Sequence, residues 1–94
     1  MSTDVLDGSW RVHPKVAVRP ERFGALLYHF DTRRLSFLKS PAMLAVLQHL
    51  DAAPSARDAC ERAGVPAAEV DRYGTALATL AASQMIVRAD GARP

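Results

Sequence analysis

The residues able to carry chemistry in this chain are one cysteine and three histidines. Cys60 is the single thiol, and His13, His29 and His49 are far apart along the sequence. No HxxxH or HExxH spacing joins the histidines, so the sequence predicts no metal site. Cys60 follows Ala59 in an Ala-rich stretch, which favours a small buried hydrophobic residue over a nucleophile. The five glycines are dispersed and form no phosphate-binding loop. We therefore expect neither an enzyme nor a bound cofactor.

The composition describes one small globular domain. The chain has 94 residues, 49% of them hydrophobic and 23% charged, enough for one core but not for an enzyme fold with a cofactor domain. A single cysteine excludes an internal disulfide and fits a reducing cytoplasm. No signal peptide is apparent, and no apolar run approaches the roughly 18–20 residues of a membrane span. We expect a cytoplasmic protein without membrane contact.

Positive charge is concentrated in the N-terminal third. The net charge is +2, but residues 11–39 hold seven Lys and Arg against two acids, whereas residues 40–94 hold five Arg against six acids. A net charge of +2 is too small to indicate nucleic acid by itself. The local excess of cations favours an acidic partner.

Three short strands are predicted in this basic third. Residues 16–19, 25–30 and 34–39 alternate in polarity and are rich in β-branched, aromatic or leucine residues. Short links favour an antiparallel meander, with the second strand central and the third at an edge. Residues 10–12 are expected to extend the first strand or to lie across the sheet.

The alternation also predicts which side chains share a face of the sheet. In the second strand we expect Leu26, Tyr28 and Phe30 to face the core, with His29 at the surface or partly packed. In the third strand two side chains lie on each face: Leu35 and Phe37 on one, Ser36 and Leu38 on the other.

The Ala-rich remainder predicts three helices and a short terminal strand over 85–88. Ser40-Pro41 is a strong helix start, and Ser55 with Asp58 resembles a capping box for a second helix ending at Gly64. A third helix opens at Pro66. Apolar stripes at helical spacing mark the first and third helices: Met43, Val46, Leu47 and Leu50, then Val70, Tyr73, Leu77 and Leu80.

The second and third predicted helices resemble a helix-turn-helix, with Gly64 in the turn. A small winged-helix DNA-binding regulator is therefore the alternative function. The third helix argues against it, because Glu69 and Asp71 would repel phosphates where a DNA reader needs positive charge. We expect no nucleic-acid partner.

Two runs, 19–30 and 32–41, closely resemble the peptide chaperones of the mycofactocin system, which belong to the PqqD-like RiPP recognition elements. The similarity extends over about residues 10–88. It implies a winged-helix-like α+β domain, with an N-terminal three-stranded antiparallel sheet followed by three helices. It also implies a non-catalytic function: such a domain binds the leader of a ribosomally made precursor peptide and presents it to a radical S-adenosylmethionine maturase.

The resemblance places the peptide along the third strand, in a groove shared with the third helix. The expected peptide-binding residues are Arg33, Arg34, Leu35, Ser36, Phe37, Leu38, Lys39, Val70, Tyr73, Leu77 and Leu80. The basic strand predicts an acidic leader, and the chain is expected to be a monomer. Residues 10–88 would form the peptide-binding domain, flanked by flexible segments at 1–9 and 89–94.

Overall fold

Four α-helices and two antiparallel sheets make up the described part of the chain, residues 3–89 of a computed structural model. The elements run in the order α1 (Thr3–Asp7), β1 (Trp10–Val12), β2 (Val16–Glu21), β3 (Gly24–His29), β4 (Leu35–Leu38), α2 (Pro41–Leu50), α3 (Ala56–Arg62), a 3₁₀ turn (Ala67–Glu69), α4 (Val70–Ala82) and β5 (Ile86–Arg88). The predicted α+β class is confirmed. Within residues 3–89, no helix is long and apolar enough to cross a membrane.

The larger sheet is a three-stranded meander in the order β2-β3-β4. Its register pairs Ala25 with Leu38 and Leu27 with Ser36. This agrees with the predicted central second strand and leaves β4 at an edge among the described residues. Gly24 allows the close approach of β3 to the end of β4, since a Cβ there would collide with the carbonyl oxygen of Leu38.

The smaller sheet corrects the expectation for residues 10–12. Trp10–Val12 neither extends β2 nor crosses the larger sheet, but pairs antiparallel with Ile86–Arg88. The backbone N–H of His13 donates to the carbonyl oxygen of Met85 at 2.9 Å and continues this connection. A strand of three residues carries too little pattern to identify a partner more than 70 residues away.

The face of β3 that enters the core is also different from the expectation. Ala25, Leu27 and His29 are buried at 0%, 0% and 1% exposure, whereas Phe30 is 55% exposed. Tyr28 is half-buried on the opposite side. Both alternating sets of this strand are apolar enough to pack, so periodicity alone does not select one.

His29 is therefore an interior residue, not a surface one. Its Nδ1 accepts hydrogen bonds from the backbone N–H groups of Asp31 and Thr32, at 3.2 and 3.3 Å. Its ring lies 4.4 Å from that of His13, and its Nε2 has no hydrogen-bond partner among the described residues. Through these two hydrogen bonds His29 orders the β3–β4 turn.

The helical layer follows the predicted signals closely. The hydroxyl of Ser40 accepts from the N–H of Met43, and that of Ser55 from the N–H of Asp58. Gly64 has a φ of 86°, as expected at a helix C-terminus. The predicted stripe of the first helix is confirmed, because all four of its residues are buried: Met43, Val46, Leu47 and Leu50.

Residues 3–9 contain a short helix that the sequence did not predict. Thr3–Asp7 forms α1, and Leu6 is 2% exposed. A Cβ at Gly74 would lie 2.9 Å from Cγ of Leu6, so the glycine in α4 makes room for α1. At the other end, Ala89 donates to Ser9, and residues 90–94 lie outside the described residues.

Candidate functional site

An open groove of about 390 Å³ lies between the end of β4, the start of α2 and one face of α4. Its lining combines apolar side chains with two cations and contains no carboxylate. The lining residues are Phe37, Leu38, Lys39, Ser40, Met43, Arg72, Tyr73 and Ala76.

The junction between β4 and α2 forms one wall of the groove. β4 ends at Leu38, which is 6% exposed and anchors the strand in the core. Ser40 has extended backbone angles and caps α2 through the N–H of Met43, so the chain changes direction within two residues. This sharp turn holds exposed Lys39 at the mouth of the groove.

The opposite wall is formed by one face of α4. Arg72, Tyr73 and Ala76 line the groove because residues three and four apart share a helix face. Tyr73 is half-buried and lines the groove. A polar or aromatic ligand group can thus pack beside an apolar wall.

Three of the expected α4 site residues lie behind this wall. Val70, Leu77 and Leu80 are buried in the core, at 7%, 0% and 5% exposure. They are not among the residues that line the groove. The structure places these three residues in the core, and their contact with a peptide stays a prediction.

The outward edge of β4 offers free main-chain groups. The N–H of His29 donates to the carbonyl oxygen of Arg34 at 2.9 Å, which makes them a hydrogen-bonded pair. Because such pairs alternate along an antiparallel ladder, Ser36 bonds to β3 whereas the N–H and C=O of Leu35 and Phe37 point away from it. These outward groups can pair with an added strand.

The predicted basic residues lie at the two ends of this edge. Arg33 closes the β3–β4 turn with a φ of 63° and donates its N–H to His29. Arg33 and Arg34 are exposed before the strand, and Lys39 is exposed after it. Arg72 adds a fourth cation on the groove wall, although its guanidinium also contacts Glu69 at 2.9 Å.

Cys60, the only thiol, does not line the groove. Cys60 is fully buried at 0% exposure, and burial raises the pKa of its thiol, opposed only in part by Arg57. A buried protonated thiol is a poor nucleophile. Among residues 3–89, no group of three or more His, Cys, Asp and Glu residues is placed to hold a metal.

Four lining residues were not predicted: Ser40, Met43, Arg72 and Ala76. Ala76 is detectable once Tyr73 is assigned to the groove, because it follows Tyr73 by three residues, and Arg72 is detectable in turn because it precedes Ala76 by four. Met43 belongs to the core stripe of α2. It also lines the groove because it is the first residue of that stripe, at the start of the helix. Ser40 was identified only as a helix cap.

A family model matches most of the chain. The model of the peptide chaperone MftB family matches residues 9–87. The chain belongs to this family. Membership confirms the resemblance seen in residues 19–41 and makes the protein a peptide chaperone, which is not an enzymatic role.

Curated relatives of the MftB family cover most of the chain. "Peptide chaperone MftB" of Mycobacterium tuberculosis (strain ATCC 25618 / H37Rv) is 58% identical over 81 residues, covering 86% of this chain and 74% of the relative. The protein of the same name from Mycolicibacterium smegmatis (strain ATCC 700084 / mc(2)155) is 52% identical, covering 86% of this chain and 79% of its own length. No solved structure matches the chain.

Proposed function

We propose that this MftB family member binds the leader of the mycofactocin precursor peptide as an added strand on β4 and presents it to a radical S-adenosylmethionine maturase. The observation that carries the proposal is the edge of β4, whose Leu35 and Phe37 main-chain groups point away from β3 beside an open groove. Strand addition uses such an edge for affinity and neighbouring pockets for specificity.

The groove gives the added strand a place for its side chains. Successive side chains of a strand point to opposite faces, so every second leader residue would point toward α2 and α4. There it would meet the aromatic ring of Tyr73 and the side chains of Met43 and Ala76. Apolar leader residues at alternate positions would therefore fit the groove.

The charges favour an acidic leader. Arg33, Arg34 and Lys39 are exposed along β4, and Arg72 lines the groove wall. None of the groove-lining residues is acidic. Carboxylates on the leader would be attracted during encounter and would find cations at both ends of the strand.

The same surface does not favour DNA. α3 and α4 flank Gly64 as in a helix-turn-helix, but Asp71 is exposed in the first turn of α4 and Glu69 precedes it. We infer that the motif packs the helices together in a winged-helix-like arrangement and that the chain binds peptide. We further propose that it acts as a monomer in the cytoplasm.

The chemical step belongs to the partner enzyme. Within residues 3–89 the chaperone offers no metal cluster, and its one thiol is buried. Its contribution is to hold the leader and so raise the concentration of the precursor at the maturase active site.

A proline substitution tests the strand addition. Leu35→Pro removes an outward N–H, whereas Leu35→Ala removes the side chain and keeps that donor. We expect Leu35→Pro to weaken leader binding about three- to tenfold relative to Leu35→Ala, the worth of one hydrogen bond. Titration of a labelled leader peptide measures this ratio. Equal affinities of the two folded variants would contradict the proposal.

A further inference from the structure

The outer face of the larger sheet carries an apolar surface that shares only Phe37 with the groove. Four of its side chains are strongly exposed: Phe23 at 46%, Phe30 and Leu35 at 55%, and Phe37 at 59%. Half-buried Leu26 and Tyr28 lie between them. We call this surface the outer-face patch: Phe23, Leu26, Tyr28, Phe30, Leu35 and Phe37.

The strand register makes these side chains one continuous surface. Leu26 lies directly opposite Phe37, and Tyr28 directly opposite Leu35. The rings of Tyr28 and Phe30 meet edge to face at 5.1 Å. The rings of Phe23 and Phe37 are 6.4 Å apart. An exposed apolar surface of this continuity is typical of a protein-interaction site.

The border of the patch is positively charged. Arg19 lies opposite Leu26 in the register and extends a side chain that is 76% exposed, with Glu21 as its ion-pair partner at 3.0 Å. Arg22, which precedes Phe23, is exposed as well. In a two-fold interface this face would meet a second copy of itself, so an excess of cations at its border would oppose self-association.

Both surfaces can be occupied at once. The groove opens between β4, α2 and α4, whereas the patch lies on the side of the sheet that faces away from the helices and meets the groove only at Phe37. A strand added to β4 would extend the sheet, and its outward side chains would continue the patch.

From this geometry we propose that the outer-face patch is the docking surface for the maturase of the proposed function. The partner is defined by its chemistry: an apolar protein surface bordered by carboxylates. Because the bound leader enlarges the same face, the maturase binds the chaperone–leader complex more tightly than the free chaperone. The inference rests on strand addition at β4 but concerns a different surface.

A double substitution separates the two surfaces. Phe23→Ser with Phe30→Ser removes two exposed apolar side chains that lie outside β4 and outside the groove lining. The matched control, Ala68→Ser with Ala82→Ser, changes two exposed residues on the helical side. Maturase and labelled leader are titrated separately into each purified variant, and maturase also into the preformed leader complex.

We expect the patch variant to lose at least about tenfold in maturase affinity and to keep leader affinity within about twofold. The control variant should match the unsubstituted protein in both titrations. A charge reversal, Arg19→Glu with Arg22→Glu, should slow maturase association, since border charges act on the association rate.

Three results would overturn the docking proposal. One is unchanged maturase affinity in a folded patch variant. Another is an equal loss of leader affinity, which would place the patch in the peptide site. The third is a dimeric unsubstituted protein that becomes monomeric in the patch variant, which would make a second copy the occupant. Failure of the proposed function is seen separately, as absence of leader binding to the unsubstituted protein.

Discussion

The two edges of the larger sheet differ in their ability to accept another strand. On β2, Pro20 lies opposite Ala25, a residue whose main chain bonds to β4, so the proline occupies an outward position and offers no N–H. On β4, Leu35 and Phe37 keep their outward donors and acceptors. The comparison shows that the β2 edge lacks one main-chain donor that the β4 edge keeps, which favours β4, next to the groove, as the edge for an added strand.

The largest expected effect concerns the inner and outer donors of β4. Ser36→Pro removes an N–H that bonds to Leu27, and we expect it to lower the free energy of unfolding by roughly 1–3 kcal/mol. Leu35→Pro acts on the solvent side and should cost no more than about 1 kcal/mol. Urea denaturation of both variants measures the difference. A larger loss of stability for Leu35→Pro would show that the N–H of Leu35, and not that of Ser36, bonds to β3.

Charge at the β4 edge should control the rate of leader association. We expect Lys39→Glu to slow association about three- to tenfold, because it reverses a cation at the mouth of the groove. Arg19→Glu, on β2, is the control and should have a smaller effect. The association rate of the unsubstituted protein should also fall as salt rises. Stopped-flow fluorescence that finds no dependence on salt would contradict an acidic leader.

Opening the other edge should change little. Pro20→Ala restores an N–H on β2, and we expect leader affinity to stay within about twofold because the groove lies beside β4. Calorimetric titration of this variant is the check. A marked gain in affinity would show that the β2 edge competes for the leader.

The smallest effect concerns Cys60, which lies away from both edges. Burial raises the pKa of its thiol above the ordinary value of 9.0, so the folded protein keeps a proton that the unfolded chain releases. The thiol therefore leaves the free energy of unfolding unchanged at neutral pH and lowers it as pH rises above about 9. Cys60→Ala should remove that fall and leave leader affinity unchanged. Denaturation midpoints measured between neutral and alkaline pH test this, and an unaltered pH profile in the variant would contradict it.

Local signals account for the parts of the fold that the sequence predicts well. The hydroxyls of Ser40 and Ser55 each cap a helix by accepting from the backbone N–H three residues later, so the interaction is contained within four residues. The meander is likewise predictable, because its links are short. The pairing of Trp10–Val12 with Ile86–Arg88 and the contact of Leu6 with Gly74 depend on distant segments, which no local pattern specifies.

The candidate site shows the same division. Phe37, Leu38, Lys39 and Tyr73 were predicted and do line the groove. The choice of face was wrong for β3, because two apolar alternations coexist there and only packing against the helices selects Leu27. On α4, the apolar stripe predicts the core residues Val70, Leu77 and Leu80. The groove is instead lined by Tyr73 with Arg72 and Ala76.

Backbone hydrogen exchange at β4 tests strand addition most directly. In the free protein the amides of Ser36 and Leu38 should already be protected by β3, and those of Leu35 and Phe37 should exchange freely. Saturation with the leader peptide should slow exchange at Leu35 and Phe37, with chemical-shift changes reaching Tyr73. Leader binding that leaves both outward amides exchanging freely would contradict strand addition at this edge.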